Sequence, residues 1–372
     1  MTATGRHHPL WYFGQTFVIG LDLYIVSPLL PAISRQYDQP PGRVSLLVTG
    51  FALTYAASSP VWGLFSERCP RRVMALLSLT VFQIGDIMTA LQPSYFWLTF
   101  SRAVTAAGAA GFTPALYAYI ADTTPLQHRA GTMSVASAGF STATFLGIPL
   151  GLMIANVWAW PAAFWLVFFL SLFSWFVTWR LWKPTRPPMY RHSNSICPDS
   201  RLAWNYGLTM LAFASFGSVY TYLPLDLTQH VHFSSGRLTW FMMAFGLFGL
   251  LGTLAAGYLS DRAGHVRVVR WGLLIEVVVL LGLLHPWTGG FLWAILLLFS
   301  MVTSYTPVLK ALASFKGAKG LALSWNNAAM YVGLSAGSWG MASVWPLGMS
   351  AIYLGAAILA TGAFILSLYL HV

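Results

Sequence analysis

The sequence predicts an all-α membrane protein of twelve transmembrane helices in two pseudo-symmetric six-helix bundles. Three observations carry this. Of the 372 residues, 57% are hydrophobic and only 8% charged, whereas a soluble domain carries about 25% charged residues. So few charges cannot cover a water-facing surface, and a mean hydropathy of +0.66 agrees. The apolar residues fall in successive runs of bilayer length, which is roughly 20 residues. A short polar motif also recurs at equivalent places in the two halves of the chain.

The runs follow in order. The first, 11–34, begins after a polar segment holding Arg6, His7 and His8 and ends at Arg35. The second, 44–65, starts after Arg43 and stops before Arg68. The third, 71–92, opens on Arg71 and Arg72 and is joined by a short turn to the fourth, 95–121, which contains Arg102 and ends at Asp122. The fifth, 130–156, follows Arg129, and the sixth, 159–182, ends at Arg180 and Lys183. The segment 183–201 is rich in Pro, Ser and Arg. It divides the chain into an N-terminal bundle, 1–182, and a C-terminal bundle, 202–372. The second bundle holds runs at 203–227, 236–258, 267–285, 289–311, 319–343 and 346–370, punctuated by Arg237, Arg262, Arg267, Lys310 and Lys319.

Charge sets the orientation. Of the 20 lysines and arginines, Arg35, Arg43 and Arg237 fall on one side, Arg102 lies within a span, and all the others fall on the opposite side. The basic side is cytoplasmic, and an even helix count places both termini there. The net charge of +11 thus records topology and does not mark a nucleic-acid surface. The first apolar run is longer than a signal core and lacks a small-residue cleavage site, so no cleaved signal is expected. Cys69 and Cys197 both fall on the cytoplasmic side, so neither a disulfide nor a metal site is expected.

The repeat is Gly63-Leu64-Phe65-Ser66-Glu67-Arg68 after the second span and Gly257-Tyr258-Leu259-Ser260-Asp261-Arg262 after the eighth. Two parallel six-helix repeats are a transporter plan. With these motifs the chain resembles the major facilitator superfamily, and within it the twelve-span drug:proton antiporters. The loop is similar to the family's Gly-x-Leu-(Ser/Ala)-Asp-Arg-x-Gly-Arg-Arg, with Glu67 in place of Asp and Pro70 in place of the second Gly. The resemblance implies a conformational latch made by Gly63, Glu67, Arg68, Arg71, Arg72, Asp122, Gly257, Asp261 and Arg262. Asp122 is expected either to pair with Arg68 or Arg72 or to be a solvated helix-end carboxylate. The first span, Leu21-Asp22-Leu23-Tyr24 through Pro31, is similar to the antiporters' Leu-Asp-x-Thr run ending in Leu-Pro. Arg102 and Gly108 stand in a family motif of the fourth span, where Thr105 and Ala106 replace Gln and Gly. Gly147-Ile148-Pro149-Leu150-Gly151 resembles the antiporter signature of the fifth span with its proline displaced by one, implying a gating helix.

Asp22 and Arg102 lie at similar depth, each inside an apolar run. A charge at mid-bilayer costs at least ~2.5–3.5 kcal/mol and is therefore paired or functional. Burial and a neighbouring guanidinium pull a carboxyl in opposite directions. A carboxyl so balanced can load and release a proton, which makes Asp22 and Arg102 the proton-coupling candidates. A static ion pair is the alternative. Asp86 and Glu276 are expected to face a neighbouring helix or be satisfied locally. Gly131, Gly139, Ala143, Gly147 and Gly151 form a small-residue ridge for close helix approach, as do Gly333, Gly337 and Gly340. Tyr24, Tyr117, Tyr220, Tyr222, Ser304 and Tyr305 are candidates for a substrate-cavity wall.

The expected function is secondary active transport by alternating access: proton-coupled efflux of a small organic solute or drug. The alternative is a proton symporter or facilitator importing a nutrient. A membrane-embedded enzyme is disfavoured. No Asp-rich pair or His-box pattern occurs, and His230 and His232 lie in an outer loop without carboxylate partners. A phosphate-binding Gly-rich loop followed by Lys and Ser/Thr is also missing, which excludes an ATP-driven pump in one chain. Expected partners are a small-molecule substrate, protons and the lipid bilayer of an inner cell membrane. No cofactor, metal or nucleic acid is expected, and the state is expected to be monomeric.

Overall fold

The computed structural model describes residues 10–66, 69–125, 132–133, 135–136, 138–140, 142–184, 202–284 and 319–369. These residues are almost entirely helical, with no strand among them. The long helices are α1 (Leu10–Tyr37), α2 (Leu46–Ser66), α3 (Arg71–Leu91), α4 (Tyr95–Thr123), α5 (Ile148–Val157), α6 (Pro161–Leu181), α7 (Ala203–Gln229), α8 (Ser235–Ala263), α9 (His265–Gly282), α10 (Lys319–Gly340) and α11 (Met349–Leu368). Each coincides with an apolar run predicted above. The run at 289–311 lies outside the described residues.

Local chemistry sets the ends. Ser94 caps α4 by accepting from the Trp97 amide at 3.2 Å, satisfying one of the helix's orphan donors. Gly264 and Gly348, at φ +88° and +90°, sit at the junctions leading into α9 and α11, a conformation that costs glycine nothing. Residues Ala143–Gly147 form a π turn that runs into α5, and Pro149, which lacks an amide donor, sits just after it. Large apolar side chains face outward, Phe96 at 80% exposure and Trp240 at 68% among them. In lipid this surface needs no polar cover. Six helical stretches among the described residues, including α1, α3, α6, α7 and α11, are long and apolar enough to cross a bilayer.

The chain divides into two compact units, 1–25 with 57–191 and 26–56 with 192–372. In the first, α3 lies along α4 and α6. Its aromatic core includes Tyr119 stacked on Trp182 at 4.0 Å. Gln15 donates to Thr178 Oγ1 at 2.8 Å, tying α1 to α6. The small-residue ridge faces α1. A methyl group on Gly147 would meet Leu21, and one on Gly151 would meet Ile25. Gly131 lies outside the described residues.

In the second unit α7 is central, with α10 and α11 packed along it. Leu208, Ala212, Val269, Leu273 and Ala363 form its apolar core. Gly217 lies against Leu334, and Gly333 and Gly337 lie against the α7 backbone at Met210 and Ala214. Gly340, grouped with the latter two above, has open space around it. The division expected at 183–201 assigns residues 26–56 to the N-terminal bundle, whereas compactness groups them with 192–372. Specific bonds explain the grouping. Ser27 donates to the Tyr220 carbonyl. The Tyr222 hydroxyl donates to the Ser338 carbonyl at 3.0 Å and shares a bond with the Ser45 hydroxyl at 2.9 Å. Tyr55 stacks on Tyr331 at 3.9 Å.

Candidate functional site

The seam between α3 and α4 builds the site. Ser78, Phe82, Gly85 and Thr89 recur at helical spacing on one face of α3. Ser101, Thr105 and Gly108 do so on α4. Glycine lets the backbones touch: a Cβ on Gly85 would lie 2.7 Å from the Thr105 Cα, and one on Gly108 would lie 2.6 Å from the Phe82 Cα. Thr89 and Ser101 share a hydrogen bond of 2.9 Å across the seam. Residues next to these contacts are held in fixed register. They are Asp86, beside Gly85, and Arg102, beside Ser101.

α1 supplies the third group. Asp22 accepts from Arg102 through both oxygens, at 2.7 Å from Nη1 and 2.9 Å from Nη2. This is the two-pronged geometry that suits guanidinium and carboxylate. Asp22 is 0% exposed and Arg102 1%. The guanidinium also lies over the Phe164 ring of α6, 5.4 Å from its centroid. The two residues singled out in the sequence are therefore in direct contact, walled by α6 and away from solvent.

Asp86 completes the constellation. It is 0% exposed. Its carboxyl lies near that of Asp22 and in the field of Arg102. Neither of its oxygens finds a hydrogen-bond donor among the described residues. The sequence reading expected a carboxyl that faces a neighbouring helix or is satisfied locally. Asp86 does face neighbouring helices, but it is not satisfied there. The available signal was the small and hydroxyl-bearing face Ser78, Gly85 and Thr89, which marks the side of α3 that another backbone approaches. Three ionisable side chains from three helices thus share one dry pocket of the first unit.

Other predicted residues are placed as follows. Asp122 pairs with Arg71, Nε to Oδ2 at 3.2 Å, and not with Arg72, which donates to the Trp179 carbonyl. Glu67 and Arg68 lie outside the described residues. Arg262 sits over the Tyr258 ring at 4.2 Å. Tyr24 and Tyr117 are half-buried in the first unit. Tyr220 and Tyr222 are buried in the second. Ser304 and Tyr305 lie outside the described residues. Glu276 of α9 is 0% exposed and accepts from Ser215 of α7 at 3.0 Å. Asp226 pairs with His230 at 3.0 Å, so His230, read above as lacking a carboxylate partner, has one a helical turn away.

Known proteins give the frame for this geometry. The chain is 27% identical over 346 residues to "Uncharacterized MFS-type transporter YceJ" of Bacillus subtilis, covering 88% of this chain and 87% of that one. It is 30% identical over 140 residues to "Multidrug resistance protein 2" of the same organism, covering 38% and 35%. Among solved structures it resembles the human organic anion transporter MFSD10, with a TM-score of 0.75 at 19% identity over 99% of this chain and 100% of that one. The model of the Major Facilitator Superfamily matches residues 12–198 and 206–372. With all but a few residues matched and the helical plan in agreement, the chain belongs to the major facilitator superfamily and is a multi-pass membrane transporter of small molecules, not an enzyme.

Proposed function

We propose that the protein is a proton-coupled exporter of a small organic solute, working by alternating access as a monomer in an inner cell membrane with both termini cytoplasmic. The carrying observation is the Asp22–Arg102 pair. It is buried and joined through two hydrogen bonds, with Asp22 near the middle of α1 and Arg102 within the first third of α4. An ionised pair there is expensive unless it performs work, and a carboxyl against a guanidinium is a group whose charge follows its surroundings. Asp22 and Arg102 form the coupling pair in this reading. Arg71 and Asp122 belong to the cytoplasmic latch, together with the second loop copy at Gly257, Asp261 and Arg262. Gly147, Pro149 and Gly151 form the gating stretch of α5. The excess of Lys and Arg on one side supports the orientation. The printed name of one relative, a multidrug resistance protein, supports lipophilic or cationic cargo and the outward direction.

The test uses everted membrane vesicles containing the full chain, with ethidium, a lipophilic cation, as the probe. An imposed inside-acid gradient is expected to drive ethidium uptake, and collapse of the gradient is expected to abolish it. Asp22→Asn is expected to lose this dependence. Uptake indifferent to the gradient in the wild type refutes proton coupling; uptake driven only in the opposite direction refutes export in favour of import.

A further inference from the structure

The buried pocket contains two carboxyls and one guanidinium. Arg102 spends both of its terminal nitrogens on Asp22, so Asp22 is the partner held as a carboxylate. Asp86 has that carboxylate beside it, lies in the field of Arg102, and has no hydrogen-bond donor for either oxygen among the described residues. Two acceptors side by side cannot bond to each other unless one carries a proton. A second uncompensated negative charge at this depth would cost several kcal/mol, while one proton makes the trio neutral.

We infer that the exchangeable proton of this site resides on Asp86, as a carboxylic acid that donates to the Asp22 carboxylate. The inference rests on the proton-coupled reading and refines it: Asp22 is the fixed anion, and Asp86 is the group that loads and unloads. On release the Asp86 O–H bond breaks, its electron pair stays on the carboxylate, and the proton passes to water. The pocket is then one charge short, and Arg102 faces two carboxylates in place of one. Reloading from water restores neutrality.

The surroundings of Asp86 isolate this equilibrium. From α1 it faces Asp22 and from α4 it faces Arg102. α6 also packs on α3, but its ionisable residue is Arg180, in its last turn. On α3 itself, Arg71 and Arg72 lie in the first turn, roughly 20 Å from Asp86 at 1.5 Å per residue. No other described ionisable side chain acts on the Asp86 carboxyl.

The test needs no substrate. Infrared spectra of the full chain, purified and reconstituted in lipid, are recorded at neutral pH with ordinary and with ¹³C-carboxyl-labelled aspartate. The wild type is expected to show a protonated-carboxyl stretch that shifts with the aspartate label. In Asp86→Glu that stretch is expected to persist but to ignore the label, because the proton now sits on a glutamate. In Asp86→Asn it is expected to vanish. A stretch that still follows the label in Asp86→Glu places the proton on Asp22 and overturns the inference. So does a label-sensitive stretch that survives in Asp86→Asn, or a wild type with no label-sensitive band; a stretch that ignores the label in every sample belongs to a glutamate such as the buried Glu276. If neither variant folds, Asp22→Glu decides: a band that still follows the aspartate label supports the inference, and one that no longer follows it overturns it. Vesicle transport remains separate. A gradient-independent wild type with the infrared result intact sinks the coupling reading and leaves the seat of the proton standing.

Discussion

Replacing Gly85 with alanine adds one methyl group where α3 meets α4, and the structure says what that methyl strikes. The new Cβ would lie 2.7 Å from the Thr105 Cα, against the 3.4 Å at which ordinary contact begins. The obstacle includes the Thr105 backbone amide as well as its hydroxyl. Backbone cannot rotate away, so the helices must part by at least about 0.7 Å at that point. Overpacking of this kind costs about 1–3 kcal/mol. It also spreads Asp86 from Asp22 and Arg102. Equilibrium unfolding of the purified protein in mixed micelles is the assay. Gly50→Ala serves as the control, since nothing lies within 4 Å of that position and alanine favours helix by about 1 kcal/mol. Thr105→Ala is expected to give no rescue of Gly85→Ala, because the amide and Cα remain. Gly151→Ala should behave differently. Its methyl meets only the tip of the Ile25 side chain at close range, so Ile25→Ala is expected to restore stability. The reasoning is refuted if Gly85→Ala is as stable as Gly50→Ala, or if trimming Thr105 recovers the loss.

Further expectations come from the same contacts. Arg102→Leu strands a buried carboxylate and is expected to cost about 3–5 kcal/mol. Asp22→Leu with Arg102→Leu together should cost less than Arg102→Leu alone, and additive costs in this double-mutant cycle would show that the pair is not coupled. Asp122 is 44% exposed, so losing its bond to Arg71 is expected to change stability by less than about 1 kcal/mol. A melting curve for Asp122→Ala that drops by much more would contradict a solvated pair. Tyr222→Phe keeps the ring and loses the bonds to Ser45 and Ser338, for an expected cost of about 0.5–1.5 kcal/mol per bond. An unaltered melting curve would mean those bonds contribute nothing net.

Most of the helical plan was legible because bilayer-length apolar runs are a strong signal and the basic residues punctuate them. Asp22 and Arg102 were legible for the same reason, since a charge inside such a run stands out. Rotation about a helix axis was harder to read. Arg71 and Arg72 are neighbours in sequence, yet they project about 100° apart, and only packing decides that Arg71 meets Asp122. Asp86 turns on the same difficulty. Its run contains one carboxylate, but whether it faces lipid-side neighbours or the Asp22–Arg102 pair depends on Gly85 meeting Thr105. The grouping of 26–56 with the C-terminal half is non-local as well. It follows from single hydroxyls, Ser27, Ser45 and Tyr222, which carry no periodic pattern.

The small-residue ridge that faces α1 has a mechanical consequence. At one end the segment before α5 is pinned to α1: Thr16 donates to the Ala136 carbonyl, and Gly139 lies against the Phe13 carbonyl. At the other end, around Asp22, the neighbours of Gly147 and Gly151 are the tips of Leu21 and Ile25, which can change rotamer. Between the two ends lies the π turn at Ala143–Gly147. The first segment is therefore stiff at Thr16 and compliant at Asp22, like a reed clamped at its base. Meanwhile α3 and α4, locked backbone to backbone, carry Asp86 and Arg102 as one rigid plate. Movement in this unit concentrates where the charges meet.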